Sequence, residues 1–171
     1  MPEQQTLERA RKDKREGKAP STQAGEFVRE EMEHIREGKH GARSTKQAIA
    51  IGLSKARRAG VDLKPPKKGT TSEKTRKSAE RAYARGHGAP ARAKSSAKRS
   101  RATSRALKRE GHSAASRSAL SKQAHSAASR RSASSRSAAA RKASRTKGPA
   151  ERSAAARKAA RTRSREMHSH G

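Results

Sequence analysis

Cysteine and tryptophan are absent from this 171-residue chain, and one phenylalanine and one tyrosine are all its aromatic side chains. The first absence excludes disulfides, thiolate nucleophiles and cysteine-built zinc sites. The scarcity of aromatics argues against single-strand readers, which stack bases on aromatic rings. Hydrophobic residues amount to 29% against 35% charged, too little apolar surface to offset the entropy of ordering the whole chain. No stretch has the length and apolarity of a membrane span, and Met1-Pro2-Glu3-Gln4-Gln5 is followed by no apolar run, so a cytoplasmic protein is expected. Past residue 63 the large apolar residues are Tyr83, Leu107, Leu120 and Met167, too few for an amphipathic membrane-surface helix.

Positive charge is what the chain has in excess: 45 Lys+Arg against 15 Asp+Glu give a formal +30. Such a chain repels itself until a polyanion neutralises it, and duplex DNA, with one charge per roughly 1.7 Å of axis, is the densest candidate. The excess is unevenly placed. Residues 1–63 carry 14 bases and 10 acids, whereas residues 64–171 carry 31 and 5.

Periodicity divides the chain into five segments. Residues 1–20 form a charged arm whose acids and bases alternate at helical spacings (Glu8 and Lys12) with almost nothing apolar, as in a frayed, solvated helix. Residues 21–63 read as a helical hairpin head. Its first helix starts at Ser21 or Thr22 after Pro20, aligns Ala24, Phe27, Val28, Met32 and Ile35 on one face, sends most of Glu26, Glu30, Glu33 and Glu37 to water and stops at Gly38. A capping box at Ser44 and Gln47 opens the second, whose stripe is Ala48, Ile49, Gly52, Leu53 and Ala56 and whose end is Gly60. Gly52 inside that helix marks close helix contact. A hairpin with so few large apolar residues is marginal and calls for a second copy through the head, or DNA.

Residues 64–71, with Pro65-Pro66, form a linker. In residues 72–111 polar helices are expected over Ser72–Arg85 and Ala91–Glu110, with no core to join. Residues 112–171 are of low complexity. His-Ser-Ala-Ala-Ser occurs at 112–116 and 125–129, and the decapeptide Arg-Ser-Ala-Ala-Ala-Arg-Lys-Ala-Ser-Arg at 136–145 returns at 152–161 with Ala160 for Ser144, around a Gly148-Pro149 break. The repeats lack the apolar face a solenoid stacks on and serve as cation carriers. The fold class expected is therefore all-α: a short helical hairpin head with a long, largely disordered or marginally helical basic tail.

Non-sequence-specific DNA binding by neutralisation of backbone phosphates is the function this pattern predicts, with a nucleoid location; an RNA-binding or ribosome-associated role is the alternative. The residues expected to contact phosphates are Lys39, His40, Arg43 and Lys46 around the link between the head helices, and Lys55, Arg57 and Arg58 toward the end of the second. Beyond the head they are Lys67 and Lys68 of the linker, Lys98, Arg99 and Arg101, then Arg130, Arg131, Arg141, Lys142, Arg145, Arg157, Lys158, Arg161 and Arg163 of the tail. Gly38 to Arg43 would deliver a phosphate to the amides of Thr45–Gln47 at the second helix's N-terminus. Gly38-Lys39-His40-Gly41 matches the GxxG of KH domains by chance, since that fold needs strands. The histidines (34, 40, 87, 112, 125, 168, 170) are scattered, and only His168 and His170 are close, as an adventitious metal pair. No catalytic set, metal site or cofactor is expected.

Two resemblances accompany this reading. Gly25-Glu26-Phe27-Val28 and the run Arg43-Ser44-Thr45-Lys46-Gln47-Ala48-Ile49-Ala50-Ile51-Gly52-Leu53-Ser54-Lys55-Ala56-Arg57 resemble an uncharacterised family of small basic bacterial proteins, over residues 7–69. The resemblance implies a bacterial origin. In composition the tail resembles the Lys/Ala/Ser/Arg-rich tails of linker histones and bacterial histone-like proteins, which implies nucleoid association.

Overall fold

A computed structural model describes residues 2–90, 96–146 and 148–168, and among these every regular element is helical. Contacts divide the chain into two units, residues 1–123 and 124–171.

In the first unit α1 (Gln4–Arg15), α2 (Pro20–Arg36) and α3 (Thr45–Arg58) pack in sequence, and α4 (Glu73–Gly86) lies on α3. Helix α2 begins with Pro20, whose missing N–H costs nothing in a first turn, and stops just ahead of Gly38. The capping residues of α3 act as expected in part. Ser44 Oγ accepts from the Gln47 amide at 3.2 Å, but Gln47 reaches back to the Arg43 amide instead of Ser44. Ser72 caps α4 through the Thr75 amide.

The core has two clusters. One joins Met32, Ile35, Ala42, Ala48, Ala114 and Ala115, flanked by Val28, Ile49 and Leu120; the other joins Ala10, Ala24, Phe27, Ala56 and Val61, flanked by Leu7, Leu53 and Leu63. Alanine is the commonest buried residue, so helix backbones come close and little side-chain entropy is lost. The α2–α3 contact is close at Gly52: a Cβ there would stand 2.7 Å from Val28 Cα. Close contact is thus the reason for glycine in mid-helix.

Four expectations are corrected. The arm is a packed helix, because Thr6, Ala10 and Asp13 recur every three to four residues and form a small, polar buried face. Glu30 and its neighbour Glu31 are buried, at 1% and 0% exposure. The segments past the linker do join a core: α4 buries Ala79 and Ala82, and residues 107–115 close over the α2–α3 link. There Gly41 N–H donates to Leu107 O, Ala42 N–H to Gly111 O, Thr45 Oγ1 to Ala114 O at 2.7 Å and Arg36 Nε to Ala115 O at 2.9 Å. A Cβ on Gly41 would meet Glu110 O at 1.8 Å, so this docking requires glycine.

The fourth concerns the tail, whose described residues are mostly helical rather than largely disordered. Its elements are α5 (Ala97–Arg109), a 3-10 turn (Ser113–Ala115), α6 (Arg117–Ser129), α7 (Ala133–Thr146) and α8 (Pro149–His168). The expected start of α5 at Ala91 and the His170 end of the terminal histidine pair lie outside the described residues. Alanine, the best helix former, supplies the local preference in α7 and α8, and no side chain described in either is buried.

Candidate nucleic-acid interface

Helical geometry, at about 100° per residue, sorts the tail cations into faces. In α5, Lys98, Arg101, Arg105 and Lys108 follow one another at spacings of three and four residues and form one exposed stripe about 15 Å long. The decapeptide repeat places Arg141, Lys142 and Arg145 within an arc of about 100° on α7, and Arg157, Lys158 and Arg161 within the same arc on α8, all exposed. The opening arginine of each repeat falls on the other face. Arg152 uses its guanidinium to cap α7, donating to Ser144 O at 2.7 Å. Arg130 and Arg131, at the turn into α7, and Arg163 are exposed as well.

A cleft of about 690 Å³ in the first unit is lined by Arg58, Arg81, Arg85 and Arg99 with Ser54 and Ser78, and none of the described residues that line it is a carboxylate. Burial among surrounding atoms and then the Arg85 charge push the Arg58 guanidinium below its ordinary value, the electrostatic cost an anion would relieve. Arg58 is steadied by Ser54, whose Oγ accepts from its Nη2 at 2.7 Å. Sequence reading named Arg58 and Arg99 but missed Arg81, Arg85, Arg105 and Lys108. The i,i+4 pair of like charges at 81 and 85 was the available sign, since such a pair is unfavourable on a helix unless a counterion serves it.

Arg43, Lys46, Lys67 and Lys68 are exposed on the first unit. The other named head residues are turned to structural work. Arg57 is buried and donates to Leu63 O at 2.9 Å and Lys64 O at 3.5 Å, closing the turn after α3. Lys55 Nζ lies 3.1 Å from Glu30 and 2.7 Å from Glu31. Lys39 pairs with Glu3 and Glu37. His40 faces Glu31 at 3.3 Å. At the N-terminus of α3, Ser44 takes the Gln47 amide, one of the three expected to meet a phosphate, and the link ahead of it is pinned by residues 107–111.

One cluster escaped sequence reading altogether. Glu31, His34 and His40 each bring a ligand-capable atom to within 4.8 Å of the others. Among the described residues no helix is long and apolar enough to cross a membrane.

Residues 4–68 match a family of unknown function (DUF6496), a stretch that takes in α1, α2, α3 and the turn after them. No curated protein and no solved structure matches the chain.

Proposed function

We propose that this chain is a non-enzymatic protein that coats duplex DNA by neutralising its backbone without sequence preference, in a nucleoid-associated role. The observation that carries the reading is the duplicated three-cation face of α7 and α8, exposed on helices with no core of their own to serve. Three cations on one arc suit phosphate contact, while base readout needs Asn, Gln or Arg presented together on a helix seated in a groove. The α5 stripe and the four-arginine cleft add anion-seeking surface of the same kind. The likeness of the tail's composition to histone tails points the same way.

Binding of a fluorescent duplex at rising salt tests this. With ten phosphate contacts, log K falls against log salt with a slope of about −9. Replacing Arg141, Lys142, Arg145, Arg157, Lys158 and Arg161 by alanine preserves helix preference and should flatten the slope by about 5 if each contacts a phosphate. Scrambled duplexes should bind equally. Salt-independent affinity, or a six-alanine variant that binds like the parent, overturns the reading; ribosomal RNA winning a competition at matched phosphate transfers it to RNA.

A further inference from the structure

We propose that Glu31, His34 and His40 form a binding site for one divalent transition-metal ion of the zinc class, which fastens the α2–α3 link to α2. Two imidazoles and one carboxylate are the donor set that zinc takes in open, three-ligand sites. Glu31 and His34 stand three residues apart on α2, so one helix face offers both, and His40 arrives on the link.

The state of Glu31 is the central observation. Its carboxylate is fully buried, yet neither oxygen has a hydrogen-bond partner. Lys55 Nζ lies 2.7 Å from Oε2 and His40 Nε2 lies 3.3 Å from Oε1, both without hydrogen-bond alignment. A buried carboxylate is expensive unless it is paired and hydrogen-bonded. Lys55 is also shared: Glu30 draws on the same ammonium at 3.1 Å, leaving two buried carboxylates to one lysine. Glu30 has further partners, since it accepts from the Glu3 amide at 3.1 Å. Of the two carboxylates that share Lys55, Glu31 is therefore the one whose oxygens lack hydrogen bonds.

The histidine hydrogen bonds define what is missing. His40 Nδ1 lies 3.1 Å from the Gly41 carbonyl, which can only accept, so Nδ1 carries the proton and the neutral ring keeps its lone pair on Nε2. That lone pair meets the lone pairs of Glu31 Oε1 across 3.3 Å, a contact that is repulsive without a cation between or beside the two atoms. His34 Nε2 donates to Glu3 Oε1 at 2.8 Å, the carboxylate–imidazole pairing that orients ligating histidines and leaves the other ring nitrogen as the lone pair. Lys39, 3.2 Å from the same Glu3 oxygen, holds that carboxylate in turn. Side-chain exposures of 13% for His34 and 19% for His40 leave an entry route.

A proton on His40 would answer one contact only, and Glu31 Oε1 is not aligned to receive it; a metal ion answers all three groups. By pinning His40, the ion would steady the link that carries Gly41 and Ala42 against residues 107–111, so its binding energy becomes stability of the first unit.

The test uses the full chain with His168 and His170 changed to alanine in every sample, so that the terminal pair cannot contribute. Co²⁺ titration should give visible d–d bands saturating at one equivalent, displaced by Zn²⁺, and Zn²⁺ should raise the melting temperature. Changes at outer partners of a metal commonly cost about 10–100-fold in affinity, so His34→Ala and His40→Ala should each cost about 100-fold or more and abolish the zinc-dependent rise. X-ray absorption of the zinc-loaded parent should report two imidazole nitrogens at about 2.0–2.1 Å, an arm that holds even if a variant fails to fold. A parent that is folded by circular dichroism yet shows neither bands nor a zinc-dependent shift overturns the proposal. So do bands undiminished in His40→Ala, or an absorption spectrum without imidazole ligands.

Discussion

The pentapeptide His-Ser-Ala-Ala-Ser occurs twice and meets two different fates. At 112–116 it forms a 3-10 turn whose Ala114 and Ala115 are 5% and 0% exposed, held by Thr45 and Arg36 against the α2–α3 link. At 125–129 the same five residues are the end of α6, and Ala127 and Ala128 are exposed. Local preference is identical, so the difference comes from what lies alongside. In the first unit a segment is fixed by its neighbours; in the second, residues hold helical shape by alanine preference and hydrogen bonds within the helix. The two units therefore answer to different perturbations.

The sharpest way to break this comparison is one substitution made at equivalent points of the two copies. Ala115→Asp places an unpaired carboxylate in the core and should cost about 3–5 kcal/mol, on the scale of an uncompensated buried charge. Ala128→Asp, exposed, should stay within about 0.5 kcal/mol. Chemical denaturation followed by circular dichroism measures both. Equal effects would mean that the first copy is not docked.

A smaller effect sharpens the other side. Ala139→Gly in α7 removes the best helix former and should cost about 1 kcal/mol of local helix stability, with little to resist it because no described side chain of the helix is buried. Hydrogen exchange should quicken across residues 133–146 and stay unchanged in α2. Added duplex DNA should restore part of the protection, since phosphates screen the repulsion among Arg141, Lys142 and Arg145. Exchange in α7 that is slow and indifferent to the substitution would show that packing, and not alanine preference, maintains the helix.

These contrasts also explain which parts of the structure could be read from sequence. Helices α2 and α3 were legible because Phe27, Met32 and Ile35 on one side, and Ala48, Gly52 and Ala56 on the other, repeat with the helical period and carry start and stop residues. Helix α1 was legible as a helix but not as a packed one, because its buried face is Thr6, Ala10 and Asp13, and a search for apolar periodicity passes over threonine and aspartate. The docking of residues 107–115 was invisible for a related reason: it rests on alanines and on backbone carbonyls accepting from Arg36 and Thr45, groups that every residue possesses. The tail cations expected to contact phosphates lie exposed where they are described, on helices that bury none of their described side chains. The cluster of Glu31, His34 and His40 was lost because the histidines were weighed by distance along the chain, while a helix turn and a short link bring them together in space.

The smallest expected effect probes the α3–α4 contact through the chain's single tyrosine. Tyr83 on α4 donates its hydroxyl to Asp62 Oδ1 at 2.5 Å, just past the end of α3, and stacks on His87 with centroids 3.9 Å apart. That hydrogen bond, with burial and the carboxylate's charge behind it, raises the phenol above its ordinary value of 10.0. A group whose folded-state value is raised favours the folded state while it keeps its proton. The contribution is therefore complete below pH 10.0 and disappears as pH climbs through the raised value. Tyrosinate absorbance gives the titration without interference from a second phenol, and Asp62→Asn should return it toward the ordinary value by removing the charge. A phenol that titrates normally in the parent chain would mean that α4 is not seated on α3, and would move α4 to the side of α7 and α8, helices held mainly by preference.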